Sequence, residues 1–385
     1  MQNKDVRQKS EETCMRKYGA KTYVESEQYH LDKLAVFIQK HDKYGEILSR
    51  NKCTLHCKCH LCNQEYNINY QAFAARADSN VITCTFCNKI AVHSIEEKSL
   101  TSFIKSIYIG EVIENCRKVI NGREIDIYIP EKKLAIEFDG LYWHNEVNKE
   151  PTYHLQKTEL AERADIQMIH VFEDEWLYQQ EVVKSRIKQL LGLNRRIYAR
   201  KCKCSVISHD VSKQFLDKYH LQHSCNSKYD YGLYYNDELV AVMTFGSTRF
   251  SHNNACELLR FATKTDISII GGASKLFKHF LKEHPEITNI VSYADRRWSI
   301  GNLYKQLGFT FTSKTKPSYY YIVDYKRQNR MNFQKHKLVA EGFDPNKTEH
   351  EIMLERKIYR IYDCGSLKFE FNMQHKNSSK QKFTA

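Results

Sequence analysis

Apolar and polar positions change period several times along the chain, and the changes mark its parts. Leu100, Phe103, Ile104 and Ile107 recur at helical spacing and predict a helix over 95–108. Strict alternation follows. Ile125, Ile127 and Ile129 take one side of a strand over 124–129, and Glu124, Asp126 and Tyr128 take the other. Leu134, Ile136 and Phe138 oppose Ala135, Glu137 and Asp139 in a strand over 134–139, with Pro130-Glu131-Lys132-Lys133 turning the chain between the two. A helix over 152–164, a strand over 166–172 and a helix over 176–191 complete an α/β unit at 93–192. Upstream, residues 1–50 are polar and read as a helical arm. One short helix there runs from Glu11 to Tyr18 and ends at Gly19, and a second, over 27–48, carries Leu31, Leu34, Ala35 and Ile38. Beyond the basic run Arg195-Arg196-Ile197-Tyr198-Ala199-Arg200-Lys201, a further α/β unit occupies 193–385. Its strands are expected at 230–235, 239–245, 289–293 and 319–324, and its helices at 210–218, 272–283 and 299–307, before a polar tail at 375–385 expected to be mobile.

Composition narrows the class. The 385 residues are 42% apolar and 27% charged, which excludes a largely disordered or collagen-like chain. No run approaches the ~18 apolar residues of a membrane span, and Met1-Gln2-Asn3-Lys4-Asp5 lacks a signal-peptide core. A soluble, cytoplasmic protein without membrane contact is expected. The net charge of +13 favours a polyanion partner, double-stranded DNA, and the 25 tyrosines can stack on bases. The predicted DNA contacts are Arg195, Arg196, Arg200 and Lys201; Arg296 and Arg297 beside Trp298; and Lys326, Arg327 and Arg330 after Tyr319-Tyr320-Tyr321.

Two groups of residues carry metal chemistry. Six of the 13 cysteines fall within 51–90, among them the pairs Cys59/Cys62 and Cys84/Cys87. Each Cys-x-x-Cys turn presents two thiolates to one tetrahedral ion, so residues 51–92 read as a zinc ribbon with a structural Zn²⁺. Cys53, Cys57 and His60 leave the first knuckle open, since Cys57 can replace Cys59. If the strands 124–129 and 134–139 pair as a hairpin, Asp126, Glu137 and Asp139 converge on one surface. Three such carboxylates repel one another unless a cation lies between them. Oxygen ligands suit Mg²⁺, which can activate water against a phosphodiester. His144 stands on the turn leaving the second strand, where it can move a proton. Lys157 on the next helix can orient a phosphate or the attacking water. For Glu97 two readings compete: a catalytic carboxylate, and the closing residue of a capping box Ser94-Ile95-Glu96-Glu97.

The runs Glu124-Ile-Asp-Ile-Tyr-Ile-Pro130 and Leu134-Ala-Ile-Glu-Phe-Asp-Gly-Leu-Tyr-Trp-His144 resemble the core of the PD-(D/E)XK nucleases. Tyr153-His154-Leu155-Gln156-Lys157-Thr158 and Ile169-His170-Val171-Phe172-Glu173-Asp174-Glu175-Trp176 continue the likeness. Within that group the likeness is to the very short patch repair endonucleases (Vsr-like) and the related phage homing endonucleases. The resemblance implies metal-dependent DNA cleavage through Asp126, Glu137, Asp139 and His144. It also implies a catalytic Glu97 on the helix and Lys157 in place of the usual motif lysine. Phe138 stands where the repair enzymes have threonine, which favours the homing type. A second resemblance covers 230–325. Leu239-Val-Ala-Val-Met-Thr-Phe245, Gly271-Gly272-Ala273 and Trp298-Ser-Ile-Gly-Asn-Leu-Tyr-Lys-Gln-Leu-Gly-Phe309 follow the order of the GNAT acetyltransferase fold. Ser268 occupies the position of that family's basic phosphate-loop residue, which argues against coenzyme binding. The expected protein is therefore an α/β multidomain, Mg²⁺-dependent, site-specific DNA endonuclease of bacteriophage homing type. Its alternatives are a mismatch or repair nicking enzyme, and a DNA-modifying group transferase built on the GNAT-like half.

Overall fold

The alternation at 125–129 and 134–139 produces strands because layers of apolar side chains cover the sheet they join. In a computed structural model of the chain, the second strand is buried along its whole length. The structure describes residues 2–22, 27–41, 45–51, 54–78, 82–84, 87, 95–248 and 255–373. The expected mobile tail, together with Cys53 and Ser94, lies outside these residues. Two compact units form, Met1–Ser94 and Ile95–Ala385. Among the described residues no helix is long and apolar enough to cross a membrane.

The first unit contains α1 (Gln2–Tyr18), α2 (Glu27–His41), the antiparallel meander β1 (Glu46–Asn51), β2 (Thr54–Lys58) and β3 (Glu65–Asn69), and α3 (Tyr70–Asp78). Phe37, Ile47, Leu55, Tyr66, Ile68 and Phe73 form its core. The helix expected over 27–48 stops at His41. Ile47 then pairs with Cys57 in β1–β2 and turns inward while Leu48 is exposed, a period of two rather than 3.6.

The second unit begins with α4 (Ile95–Ile107), β4 (Ile113–Cys116), β5 (Ile125–Ile129), β6 (Leu134–Asp139), α5 (Tyr153–Arg163), β7 (Gln167–Phe172), α6 (Glu173–Tyr178) and α7 (Gln180–Leu191). The strands make a sheet in the order β4-β5-β6-β7, antiparallel except for the β6–β7 pair, which α5 connects. The expected single helix over 176–191 is two, because Gln179 leaves helical geometry at φ −131°. Leu100, Ile104, Ile127, Ile136, Trp176 and Ile187 belong to the core that joins α4, α6 and α7 to this sheet.

The chain continues through β8 (Arg195–Tyr198), β9 (Lys203–Val206), α8 (His209–Tyr219), β10 (Tyr229–Tyr235), β11 (Glu238–Ser247), β12 (Ala255–Thr263), β13 (Ile267–Ile270), α9 (Gly272–Glu283), β14 (Asn289–Asp295), α10 (Asn302–Leu307) and β15 (Thr310–Lys314). It ends with β16 (Tyr319–Val323), β17 (Lys326–Asn329), α11 (Lys335–Ala340), α12 (Glu349–Glu355), β18 (Arg360–Tyr362) and β19 (Ser366–Asn372). A seven-stranded sheet runs β15-β19-β14-β12-β11-β10-β9. Leu276, Phe277 and Phe280 of α9 pack on one face, and Phe215 and Leu216 of α8 meet Val242 and Ala262 on the other. The whole is a mixed α/β, multi-sheet protein.

Candidate functional site

Two neighbouring strands of the large sheet part company. Strands β12 and β14 are parallel, and they pair only at Ala255↔Asn289, Cys256↔Ile290 and Glu257↔Val291. Immediately beyond, Leu259 is an extra residue between the β11 partners Thr244↔Arg260 and Phe245↔Leu258. Such a bulge bends its strand, and the C-terminal halves of β12 and β14 diverge. At the apex Ser292 Oγ donates to the Leu258 carbonyl at 2.8 Å. Tyr304 of α10 comes to the same place, its hydroxyl 3.5 Å from the Tyr293 carbonyl. Gly301 starts that helix at φ +82°, where a β-carbon would stand 2.3 Å from the Phe369 ring, so the backbone approach that delivers Tyr304 requires glycine. Burial pushes the Tyr304 phenol up, with Arg260 and Arg186 opposing and Glu257 adding to the rise, so it keeps its proton at neutral pH. Across the opening, the turn after α8 reaches both strands: Arg260 Nε donates to the His223 carbonyl at 3.1 Å, and Gln222 Nε2 to Asp295 at 3.3 Å. Tyr304 and the bulge at Leu259 were not singled out by sequence reasoning. Tyr304 lies within the Trp298–Phe309 run that the sequence reading noted, without a role assigned to it.

A second cluster gathers at the end of β6. Asp139 is fully buried; His170 Nδ1 donates to its Oδ2 at 2.9 Å. His144 Nδ1 and His154 Nε2 lie 3.1 and 3.4 Å from its Oδ1, and 2.8 Å from each other. Burial opposes the Asp139 charge, but the three histidines outweigh it and hold its carboxyl well below the usual carboxylate range. Glu137 instead pairs with the buried ammonium of Lys157. Burial opposes that ammonium too, but Glu137 and Asp126 outweigh it and raise its pKa. The Asp126 carboxylate accepts from the Phe138 N–H at 2.8 Å. Asp126, Glu137 and Asp139 are therefore not a common ligand set. Among the described residues the three-residue ligand group that converges here is Asp139, His144 and His154 rather than the three carboxylates. Glu97 sits half-buried in the first turn of α4, its carbonyl accepting from Thr101. The α4 carboxylate whose field reaches Glu173, beside His144, is Glu96.

In the first unit, Cys59, Cys62, Cys84 and Cys87 come together, with Cys59–Cys87 and Cys62–Cys84 sulfurs each 3.7 Å apart. The Leu61 and Cys87 N–H groups point at the Cys59 and Cys84 sulfurs. Burial works against the Cys59 thiolate, yet the Cys62 and Leu61 N–H donors outweigh it and bring the thiol down to about 7. Cys57 points into the core instead, its thiol pushed up to about 11 by burial, and His60 is exposed outside the cluster.

The predicted DNA contacts divide. Arg195, Arg196, Arg200, Lys201, Lys326 and Arg330 are exposed. Arg296 and Arg297 are buried: Arg296 pairs with Glu162 at 2.9 Å, and Arg297 with Glu175 at 2.9 Å and Asp295 at 2.8 Å. Arg327 is largely enclosed by Asp174 and Glu175, each at 2.8 Å. These three are structural ion pairs, and the expectation that they meet DNA is corrected.

Residues 201–362 match the model of the Mom protein family. No curated protein matches the chain. Solved structures similar to it include an acetyltransferase of Bacillus subtilis in complex with CoA, at 16% identity, covering 45% of this chain and 99% of that one with a TM-score of 0.26. The ribosomal-protein-S18-alanine N-acetyltransferase of Escherichia coli is similar at 10% identity, with coverages of 45% and 94% and a TM-score of 0.27. A GNAT family acetyltransferase of Elizabethkingia anophelis with acetyl-CoA bound is similar at 15% identity, with coverages of 45% and 99% and a TM-score of 0.25. The expectation of a homing-type endonuclease is overturned. What overturns it is the family match, which falls on residues 201–362 and not on the stretch assigned to cleavage.

Proposed function

We propose that the protein is a DNA-modifying group transferase whose reaction takes place in the opening between β12 and β14. The observation that carries this reading is the coincidence of the family match over 201–362 with the bulged, splayed strand pair and the buried Tyr304 phenol at its apex. Beyond Glu257 the edge of β12 facing β14 is not paired with that strand, which suits an amide-bearing arm. α9 starts after Gly271 with N–H groups that no helical carbonyl can take. Lys275 ties this start to the 199–202 segment that carries exposed Arg200 and Lys201. These features fit a thioester coenzyme of the acetyl-CoA type, with Arg200 and Lys201 supplying the cations that Ser268 does not. Such a coenzyme supplies an activated acyl carbon. With such a coenzyme bound, Tyr304 would supply a proton to the departing sulfur, and Glu257, whose field reaches Tyr304, would take one from the acceptor amine. The acceptor is a base amine of DNA, supported by the net charge of +13 and by the exposed cations of 195–201. The cysteine quartet fits Zn²⁺: tetrahedral Zn–S bonds of about 2.3 Å give S···S edges of about 3.8 Å, against 3.7 Å here.

The test is incubation of the full chain with duplex DNA and acetyl-CoA, then mass analysis of the released nucleosides. A new acylated nucleoside, lost in Tyr304→Phe, is the expected result. Unmodified DNA with acetyl-CoA and other acyl thioesters, under conditions where the protein binds DNA, overturns the reading.

A further inference from the structure

The Asp139–His144–His154 cluster plays no part in the proposed transfer, and its hydrogen-bond arithmetic does not close. The Tyr362 carbonyl lies 2.7 Å from His154 Nδ1. A carbonyl only accepts, so Nδ1 carries a proton, and when the ring is neutral its Nε2 lone pair points into the cluster. Asp139 Oδ1 faces the same space from full burial and has no hydrogen-bond partner among the described residues; the two rings stand beside it without hydrogen-bond alignment. His144 Nδ1 completes the triangle and can offer at most one proton to two lone-pair atoms. Groups so enclosed are rarely left with an unanswered acceptor.

The triangle has edges of 2.8, 3.1 and 3.4 Å. An ion with ligand bonds of about 2.0–2.1 Å has ligand–ligand edges of about 2.9–3.4 Å in octahedral or tetrahedral geometry. The outer groups are those that orient metal ligands. The Tyr362 carbonyl fixes the His154 tautomer. His170 Nδ1 holds the other Asp139 oxygen at 2.9 Å, and Thr158 Oγ1 sits 3.0 Å from His170 Nε2. Two imidazoles and one carboxylate select a borderline divalent ion, Zn²⁺ or a neighbouring transition metal, over Mg²⁺. His144 is the accessible member, its side chain 14% exposed against 0% for Asp139 and 3% for His154.

We propose that Asp139, His144 and His154 form a three-ligand site for one divalent transition-metal ion, open to solvent on the His144 side. This rests on a different observation from the transferase reading and does not depend on it. The experiment uses the full chain, loaded with Zn²⁺ or Co²⁺ and dialysed, with metal content measured alongside absorption spectra. Expected is one ion with only nitrogen and oxygen neighbours in X-ray absorption, retained in Cys59→Ser/Cys62→Ser and lost in His144→Ala. In the cysteine variant the Co²⁺ form should show d–d bands without thiolate charge transfer. If the cysteine variant fails to fold, the intact chain decides: loss of one equivalent in His144→Ala supports the site. An unchanged metal content in both His144→Ala and Asp139→Asn, or bound metal with sulfur neighbours alone, overturns it.

Discussion

Replacing Glu175 by glutamine removes the one carboxylate shared by two buried guanidinium groups, and the structure sets the size of the loss. Glu175 is 3% exposed and accepts from Arg297 at 2.9 Å and Arg327 at 2.8 Å. Burial works to raise its pKa, but the two arginines outweigh burial and bring it from the ordinary 4.5 to about 2. A depression of that size corresponds to roughly 3 kcal/mol at neutral pH, since one unit is worth about 1.4. Breaking a buried ion pair costs about 3–5 kcal/mol. Asp295 still holds Arg297, and Asp174 still holds Arg327, so the lower end, about 3 kcal/mol, is expected. The sign over pH follows from the depressed pKa. The stabilisation is fully present above about 4.5 and is lost as pH falls toward about 2. Urea unfolding of the wild type and Glu175→Gln at neutral pH, repeated down to pH 3, measures both quantities. The wild type should lose more stability on acidification than the variant. Glu181→Gln, which removes an exposed partner of Lys184, serves as the control and should change nothing measurable. A loss below about 1 kcal/mol for Glu175→Gln, or identical acid sensitivity in the two proteins, refutes the reasoning.

Tyr304→Phe should leave folding intact and lower the transfer rate about 100-fold, read as kcat on modified nucleoside, with coenzyme binding by calorimetry unchanged. Charge reversal of the exposed 195–201 edge, Arg195→Glu with Arg196→Glu and Lys201→Glu, should weaken DNA binding and flatten its salt dependence in fluorescence titrations. The buried Arg296 is a poor target for the same assay. Cys62→Ser, or a strong chelator on the wild type, should unfold the Met1–Ser94 unit while leaving the helical and sheet signals of the second unit in place, as followed by hydrogen exchange.

What could be read from the sequence was local. Strands β5 and β6 were legible because their apolar residues alternate without interruption, and the two Cys-x-x-Cys pairs because a tight turn fixes sulfur geometry within four residues. Strand β12 was not, because the extra residue Leu259 shifts its alternation while β11 and β14 still support the strand. The short α6–α7 break was hidden, since nothing in Gln179 itself forbids a helix. The site residues fared likewise. Asp126, Glu137, Asp139, His144 and Lys157 do gather near the end of β6, but their partners come from elsewhere. His154 and His170 stood in runs noted for a resemblance without a role of their own, and the pairing Glu137↔His170 sets the second beside Asp139. Arg296 and Arg297 read as surface cations because Glu162 and Glu175, which bury them, are more than a hundred positions away in the chain.

Those long-range partners also tie the four-stranded sheet to the rest of the second unit. Arg296 pairs with Glu162 on α5, Arg297 with Glu175 on α6, and Arg327 with Asp174, while the Tyr362 carbonyl receives His154. Each link joins the four-stranded sheet to the half that matches the Mom family. Charged groups this deeply buried are tolerated only when paired, so neither half can be withdrawn without leaving the other with unpaired ions. Arg297 lies two residues beyond Asp295, the end of β14, and β14 is one wall of the splayed opening. The acidic residues after β7 thereby brace β14, and the four-stranded sheet serves as a buttress for the opening beside it.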